Sequence, residues 1–257
     1  MKMNENTTRG LVIKCSDYGE SDKIVTFISR DLGKIRGIAK GARRSLKRFG
    51  GCLEQFSLVD MVVRPRDGLS LLLEGKVIRN YKKIKADIDK IFYGTYLLDL
   101  TNSLVGDGHD DNMKDIFHLL LSALETLEEC EYDEGCLREY EVRILSKVGY
   151  MPSFLNCISC GKEVEPYRNR ISTMDMNIGF SSSKGGVFCE LCEKRVDDRL
   201  EFISFGTLKT LEAATHKKVS FTRHALLESG KIIPPFISHR LGKRLKSLDF
   251  LERVKGI

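Results

Sequence analysis

Apolar positions change period near residue 80. Upstream they run in short stretches rich in branched and aromatic residues: Leu11 to Ile13, Ile24 to Ile28, Ile35 to Ala39, Leu58 to Val63 and Leu69 to Leu73. Such runs, bounded by turn residues, predict strands. Asp31-Leu32-Gly33 places glycine where a turn needs positive φ, and Pro65-Arg66-Asp67-Gly68 joins the last two runs. Five strands in roughly 75 residues make a small barrel, of the kind the OB-fold represents.

Downstream the spacing becomes three and four. Ile84, Ile88, Ile91, Phe92, Thr95 and Leu98 form one stripe, Ile116 to Leu127 a second, and Leu137, Tyr140, Ile144, Leu145 and Val148 a third. Three amphipathic helices are expected. Between the first two, Gly106 to Asp111 reads as a loop whose aspartate caps the next helix, since its acidic residues lack calcium-loop spacing. Further on, Ser204–His216 and Phe221–Glu228 read as short helices. Pro234 is expected to open a longer one carrying Ile237, Leu241, Leu245, Leu248 and Leu251. The expected class is α+β: a five-stranded barrel over 1–80, then a helical domain over 81–257 with a cysteine-bearing insertion at about 154–195.

Composition adds boundaries to this picture. An apolar fraction of 42% in 257 residues excludes disorder, and no apolar run reaches the roughly 18 residues that cross a bilayer. A polar Met1–Arg9 lacks a signal-peptide core, so a cytosolic protein without a membrane partner is expected. Charge is uneven: residues 1–80 carry +7, residues 81–156 carry −7 and residues 157–257 carry +6. Two basic modules flanking an acidic one point to a polyanionic partner, nucleic acid before membrane.

Cysteine spacing supplies the sharpest chemistry. Cys157-Ile158-Ser159-Cys160 and Cys189-Glu190-Leu191-Cys192 are two C-x-x-C knuckles separated by 28 residues. Each knuckle sets two sulfurs on one side of an ion, so the four thiolates suit one tetrahedral Zn2+. A full protein shell leaves no place for an activated water, which makes that zinc structural. Glycines 161, 179, 185 and 186 predict an intervening hairpin. Cys15, Cys52, Cys130 and Cys136 lack ligand spacing and read as buried or neutral thiols.

The chain contains no G-x-x-x-x-G-K-[ST], G-x-G-x-x-G, H-E-x-x-H or G-x-S-x-G, and no His is followed two residues later by Glu. A binding protein rather than an enzyme is expected. Its basic centre is Lys40 to Phe49, with Lys40, Arg43, Arg44, Lys47 and Arg48 and no anion. Such a run suits a loop tracking phosphates, and Arg36 is a further candidate. Two readings of Phe49 stand open: stacking on a base, or burial in the core. Near the end, Arg240, Lys243, Arg244 and Lys246 surround an apolar stripe. That basic face is either solvated surface or a dock for an acidic peptide.

The stretch Gly10 to Ser45, with Tyr18-Gly19-Glu20, Asp22, Gly33-Lys34 and Ala39-Lys40-Gly41-Ala42-Arg43-Arg44, resembles the start of the RecO recombination mediators. The knuckles Cys157/Cys160 and Cys189/Cys192, with Gly185-Gly186 before the second, resemble that family's zinc module. Gln55-Phe56 departs from the Pro-Phe expected after the basic loop. The resemblance implies an N-terminal OB-fold, a helical domain with an inserted zinc finger and no enzymatic turnover. It also implies binding of single- and double-stranded DNA, strand annealing and a nucleoid-associated bacterial setting. The partners implied are RecR, the acidic C-terminal tail of single-strand-binding protein and, indirectly, RecA. A zinc-ribbon adaptor for RNA or transcription is the alternative, and RNA preference over DNA would distinguish it.

Overall fold

The computed structural model describes residues 5–108, 111–130, 132–165 and 177–255, which divide into two compact units at Tyr132/Asp133. In the first unit, strands β1 (Asn6–Tyr18), β2 (Asp22–Ser29) and β3 (Gly33–Ala39) form an antiparallel meander. A four-residue helical turn, α1 (Leu46–Phe49), leads to β4 (Ser57–Arg64) and β5 (Ser70–Asn80). The ring order β1-β2-β3-β5-β4 closes because β4 pairs back on β1, from Asn6↔Val63 to Val12↔Ser57. The only parallel seam in this ring is short, Gly37↔Ser70 to Ala39↔Leu72. Gly33 and Gly68 take φ of 78° and 81°, as their turns require. This is the expected OB-fold barrel.

Alternation in β4 is complete: Val59, Met61 and Val63 are buried, and Leu58, Asp60 and Val62 are not. With Val12, Val25, Phe27, Ile35, Ala39 and Leu72 they fill the interior, and Phe49, Cys52 and Leu53 add to it from the segment after α1. Burial pushes the Cys52 thiol up to about 11, so it stays neutral.

The predicted first helix is divided. Helix α2 (Lys82–Ala86) ends at Asp87, whose carboxylate accepts the Asp89 and Lys90 N–H groups and starts α3 (Ile88–Leu104). Helix α4 (Met113–Glu129) supplies the missing cap for α2: the Glu128 carboxylate accepts from Lys83 N–H at 3.1 Å and Ile84 N–H at 2.9 Å. Asn112, not an aspartate, occupies the N-cap of α4, and no side-chain bond caps it there. His109 and Asp110 of the predicted loop lie outside the described residues.

Phe56 is the single described non-glycine residue with positive φ, 60°. Its ring is buried against α3, where a Cβ on Gly94 would lie 2.8 Å from Phe56 Cε1. The Phe56 carbonyl accepts the Tyr81 N–H at 3.1 Å, which ties this strained corner to the end of β5.

The second unit begins with α5 (Glu134–Lys147), followed by a three-stranded sheet of β6 (Asn177–Ser181), β7 (Gly186–Phe188) and, after α6 (Glu190–Glu193), β8 (Glu201–Ser204). Its order is β7-β6-β8, and β6–β7 is the hairpin expected between the knuckles. Helices α7 (Phe205–Ala214), α8 (Arg223–Leu241) and α9 (Lys246–Lys255) complete it. The sequence-based expectation fails at α8. One helix runs through Pro234 and Pro235 to Gly242, whose φ of 64° ends it, and α9 is separate. Ile232, Ile233, Phe236 and Ile237 are all buried, and their packing outweighs the backbone bonds the prolines forgo. No described helix is long and apolar enough to cross a membrane.

Candidate metal centre and nucleic-acid surface

The knuckles are assembled by backbone bonds that the glycines permit. Gly161 turns back at φ 74° and donates to the Cys157 carbonyl at 2.8 Å, while Cys157 N–H reaches the Lys162 carbonyl at 2.8 Å. Ile158 N–H donates to the Val187 carbonyl, fastening the first knuckle to β7. In the second, the Cys189 carbonyl accepts from Cys192 and Glu193 N–H groups.

The four Sγ atoms all lie within 4.8 Å of one another, and Cys160 and Cys189 Sγ are 3.7 Å apart. A tetrahedral ion with metal–sulfur bonds of about 2.3 Å needs sulfurs about 3.8 Å apart, so the set fits a four-coordinate soft cation. Burial pushes the Cys157 thiol up, but N–H donors of Cys189, Cys160 and Ser159 together bring it down to about 6. At Cys192 the Ser159 hydroxyl pulls down, while the Cys189, Cys160 and Cys157 thiols and burial carry it up to about 11. Four thiolates this close repel one another, and a cation between them would offset that repulsion. All four predicted ligands are brought together. Cys15, Cys130 and Cys136 are not part of the cluster, and Cys130 is exposed.

The basic segment leaves β3 at Ala39 and folds back as turns: Arg44 N–H donates to the Gly41 carbonyl and Phe49 N–H to the Ser45 carbonyl. Lys40, Arg43, Arg44, Lys47 and Arg48 are exposed, as is Arg36 on β3. Phe49 is 4% exposed and packs in the barrel interior, which settles its two readings: the ring is not available to a base.

The cations are not equally free. The Arg48 guanidinium lies 5.1 Å from the Phe49 ring centroid and donates to the Lys40 carbonyl at 2.7 Å and the Ser45 hydroxyl at 3.1 Å. Arg43 donates through Nη1 to the Glu20 carbonyl at 3.2 Å. Sequence reasoning names Asp22 only within the family resemblance and gives it no contact; in the structure it accepts Gly41 N–H at 2.8 Å and the Ser21 hydroxyl at 3.0 Å. The Gly41 N–H, then the Ser21 hydroxyl, hold its carboxyl below the ordinary carboxylate range. Lys34 is likewise named only within that resemblance, and its ammonium donates to the Asn102 and Val105 carbonyls and pairs with Asp107. No spacing rule announces either contact, because each joins segments far apart in sequence.

The predicted basic helix is not one helix. Arg240 belongs to α8, Lys243 and Arg244 to the connection after Gly242, and Lys246 opens α9. Arg240 lies over the Phe236 ring, and Arg244 is paired with Asp249 and Glu252.

Comparison with known proteins covers both units. Residues 3–81 match the family model "Recombination protein O N terminal" and residues 85–249 match "Recombination protein O C terminal". Among curated relatives, the DNA repair protein RecO of Syntrophus aciditrophicus (strain SB) is 34% identical over 258 residues, covering 96% of this chain and 95% of its own. The protein of the same name from Anaeromyxobacter dehalogenans (strain 2CP-1 / ATCC BAA-258) is 31% identical, with 98% of each chain covered. That of Geobacter metallireducens is 30% identical over 98% of this chain and 99% of its own. With both halves matched in order and nearly end to end, the chain belongs to the RecO family.

Proposed function

We propose that this protein is a DNA repair and recombination mediator that holds phosphate backbones on its barrel and promotes the pairing of complementary strands. The observation that carries this reading is the loop after β3, where Lys40, Arg43, Arg44 and Lys47 are exposed cations with no acidic residue between Lys40 and Phe49. Family membership supports a role in repair and recombination. Each neutralised phosphate releases condensed counterions, and cations shared between two strands reduce the repulsion that slows their approach. Lys40, Arg43, Arg44 and Lys47 are the proposed principal contacts, with Arg36 on β3 a further candidate and Arg48 contributing from its braced position.

The cysteine cluster takes one zinc ion on this reading, because thiolates select soft or borderline cations and four of them complete a tetrahedral shell. Bound zinc would supply a crosslink between the two knuckles. The chain's own part is to gather Cys157 and Cys160 on β7 through Ile158 and to present Cys189 and Cys192 from the start of α6. As partners we propose single- and double-stranded DNA, RecR, the C-terminal tail of single-strand-binding protein and, through the covered strand, RecA. Arg240, Lys243 and Lys246 remain the proposed cations for an acidic tail, with Arg244 engaged by its own carboxylates.

The deciding experiment is annealing of two complementary oligonucleotides coated with single-strand-binding protein, across a salt series. Acceleration that fades with salt is expected. For four phosphate contacts the log–log salt slope of single-strand binding is near −2.8, from about −0.7 per phosphate. No acceleration by folded, metal-loaded protein rejects the mediator reading, and preference for RNA of the same sequence moves it to an RNA adaptor.

A further inference from the structure

The basic loop is held in shape by groups that the charge count alone would assign other roles. Three anchors grip it. At its start, Asp22 Oδ1 accepts the Gly41 N–H at 2.8 Å. Beside that bond, Arg43 N–H donates to the Ser21 carbonyl at 3.0 Å, so the β1–β2 turn and the loop are joined twice by main-chain donors. Across the loop, Arg48 spans from the Lys40 carbonyl to the Ser45 hydroxyl. At its end, Phe49 is buried in the barrel. Gly41 sits where the first two anchors meet, at φ 65°, and a Cβ there would approach Arg48 Nη2 to 3.3 Å. The side chains left without ties are Lys40, Arg44 and Lys47, all exposed: Lys40 directly precedes Gly41, Arg44 and Lys47 lie between Arg43 and Arg48, and the Arg43 guanidinium is itself tied to the Glu20 carbonyl.

We infer that Asp22 and Arg48 are positioning residues for nucleic-acid binding, fixing the Lys40–Lys47 loop so that Lys40, Arg44 and Lys47 meet phosphates in one preset arrangement. This rests on the loop being the DNA contact. Preorganisation matters here because long cationic side chains on a mobile loop lose entropy when they bind, and a loop already folded avoids that part of the cost. For Asp22 the inference opposes simple electrostatics. A carboxylate beside five cations repels a polyanion, so its removal should tighten binding if charge alone governed. A latch predicts the reverse. For Arg48 charge conservation separates the two views: lysine keeps the positive charge but cannot span the Lys40 carbonyl and the Ser45 hydroxyl with a planar fork.

The test uses the full chain and a fluorescent oligothymidylate, comparing wild type, Asp22→Ala, Arg48→Lys and the triple variant Lys40→Ala/Arg44→Ala/Lys47→Ala. Amide exchange at Gly41 and Arg43 is followed in parallel. The expected result is DNA binding weakened by about threefold to tenfold in Asp22→Ala and in Arg48→Lys, the scale of one or two lost hydrogen bonds. Faster exchange at Gly41 and a shallower salt slope than wild type should accompany it, although Asp22→Ala removes a negative charge. Arg48→Lys keeps the inference testable should Asp22→Ala fold poorly. Binding by Asp22→Ala and Arg48→Lys as tight as wild type, with the triple variant defective, overturns the positioning roles and leaves the DNA reading intact. A triple variant that binds normally removes Lys40, Arg44 and Lys47 as contacts and overturns the inference, and normal binding by the same variant carrying Arg43→Ala as well overturns the DNA reading itself.

Discussion

At the scale of single residues, several carboxylates carry folding free energy. Asp60 beside Arg9, Asp31 beside Arg30, Asp22 under the Gly41 N–H and Asp198 under the Ser181 and Ser183 hydroxyls are all held below the ordinary carboxylate range. Their contribution is complete above the unfolded value near pH 4 and drains as pH falls through the folded values. The thermal midpoint should therefore drop as pH is lowered from about 5 toward 2, and Asp60→Asn and Asp198→Asn should each flatten that drop; a profile unchanged by both would refute it. Buried charge behaves differently. Arg138 and Glu141 pair one turn apart on α5 with side chains 4% and 0% exposed, so Glu141→Ala strands a buried guanidinium and should cost about 3–5 kcal/mol in denaturant unfolding. At Gly94, alanine gains about 1 kcal/mol of helix propensity but meets the Phe56 ring, where overpacking costs about 1–3 kcal/mol. Net destabilisation is expected, read as a lower unfolding midpoint.

Elements show which parts of the molecule the sequence announces. Strands were legible because their interior positions repeat every second residue, as Val59, Met61 and Val63 do, and because Gly33 and Gly68 mark the turns. The metal ligands were legible because C-x-x-C needs only local geometry. What stayed hidden depends on distant partners. The break at Asp87 is a cap between two apolar stripes of the same period, so the stripe reads through it. Helix α8 passes through two prolines because four buried neighbours hold it, and no proline rule includes burial. The split between α8 and α9 scattered four cations that a continuous helix would have gathered. The knuckles lead to a direct expectation. One zinc per chain is expected by elemental analysis, falling to none in Cys189→Ser/Cys192→Ser. Because bound thiolates must shed protons, zinc retention against a chelator should weaken as pH falls. Undiminished zinc in that variant would remove these ligands from the proposal.

For the molecule as a whole, the charge pattern and the compact units are drawn differently along the chain. The family models meet between residues 81 and 85, where the basic barrel sequence gives way to acidic helices, whereas the first compact unit runs on to Tyr132. The reason is visible in Glu128, which caps α2 from α4, and in Gly94, which admits the Phe56 ring beneath α3. A fragment ending at residue 132 should unfold cooperatively, and one ending at residue 80 should melt earlier or over a broader range, as scanning calorimetry would measure; equal melting would refute it. A ribosome delivers these parts in order. The strand that opens the barrel, β1, finds its second neighbour β4 only much later in the chain, Asn6 waiting for Val63, and α2 gains its cap only when Glu128 emerges. For the interval of synthesis between those points, the nascent barrel carries an unsealed β1 margin and an uncapped helix. That interval, rather than the finished ring with no open strand, is when this chain is most exposed to mispairing with its neighbours on the polysome.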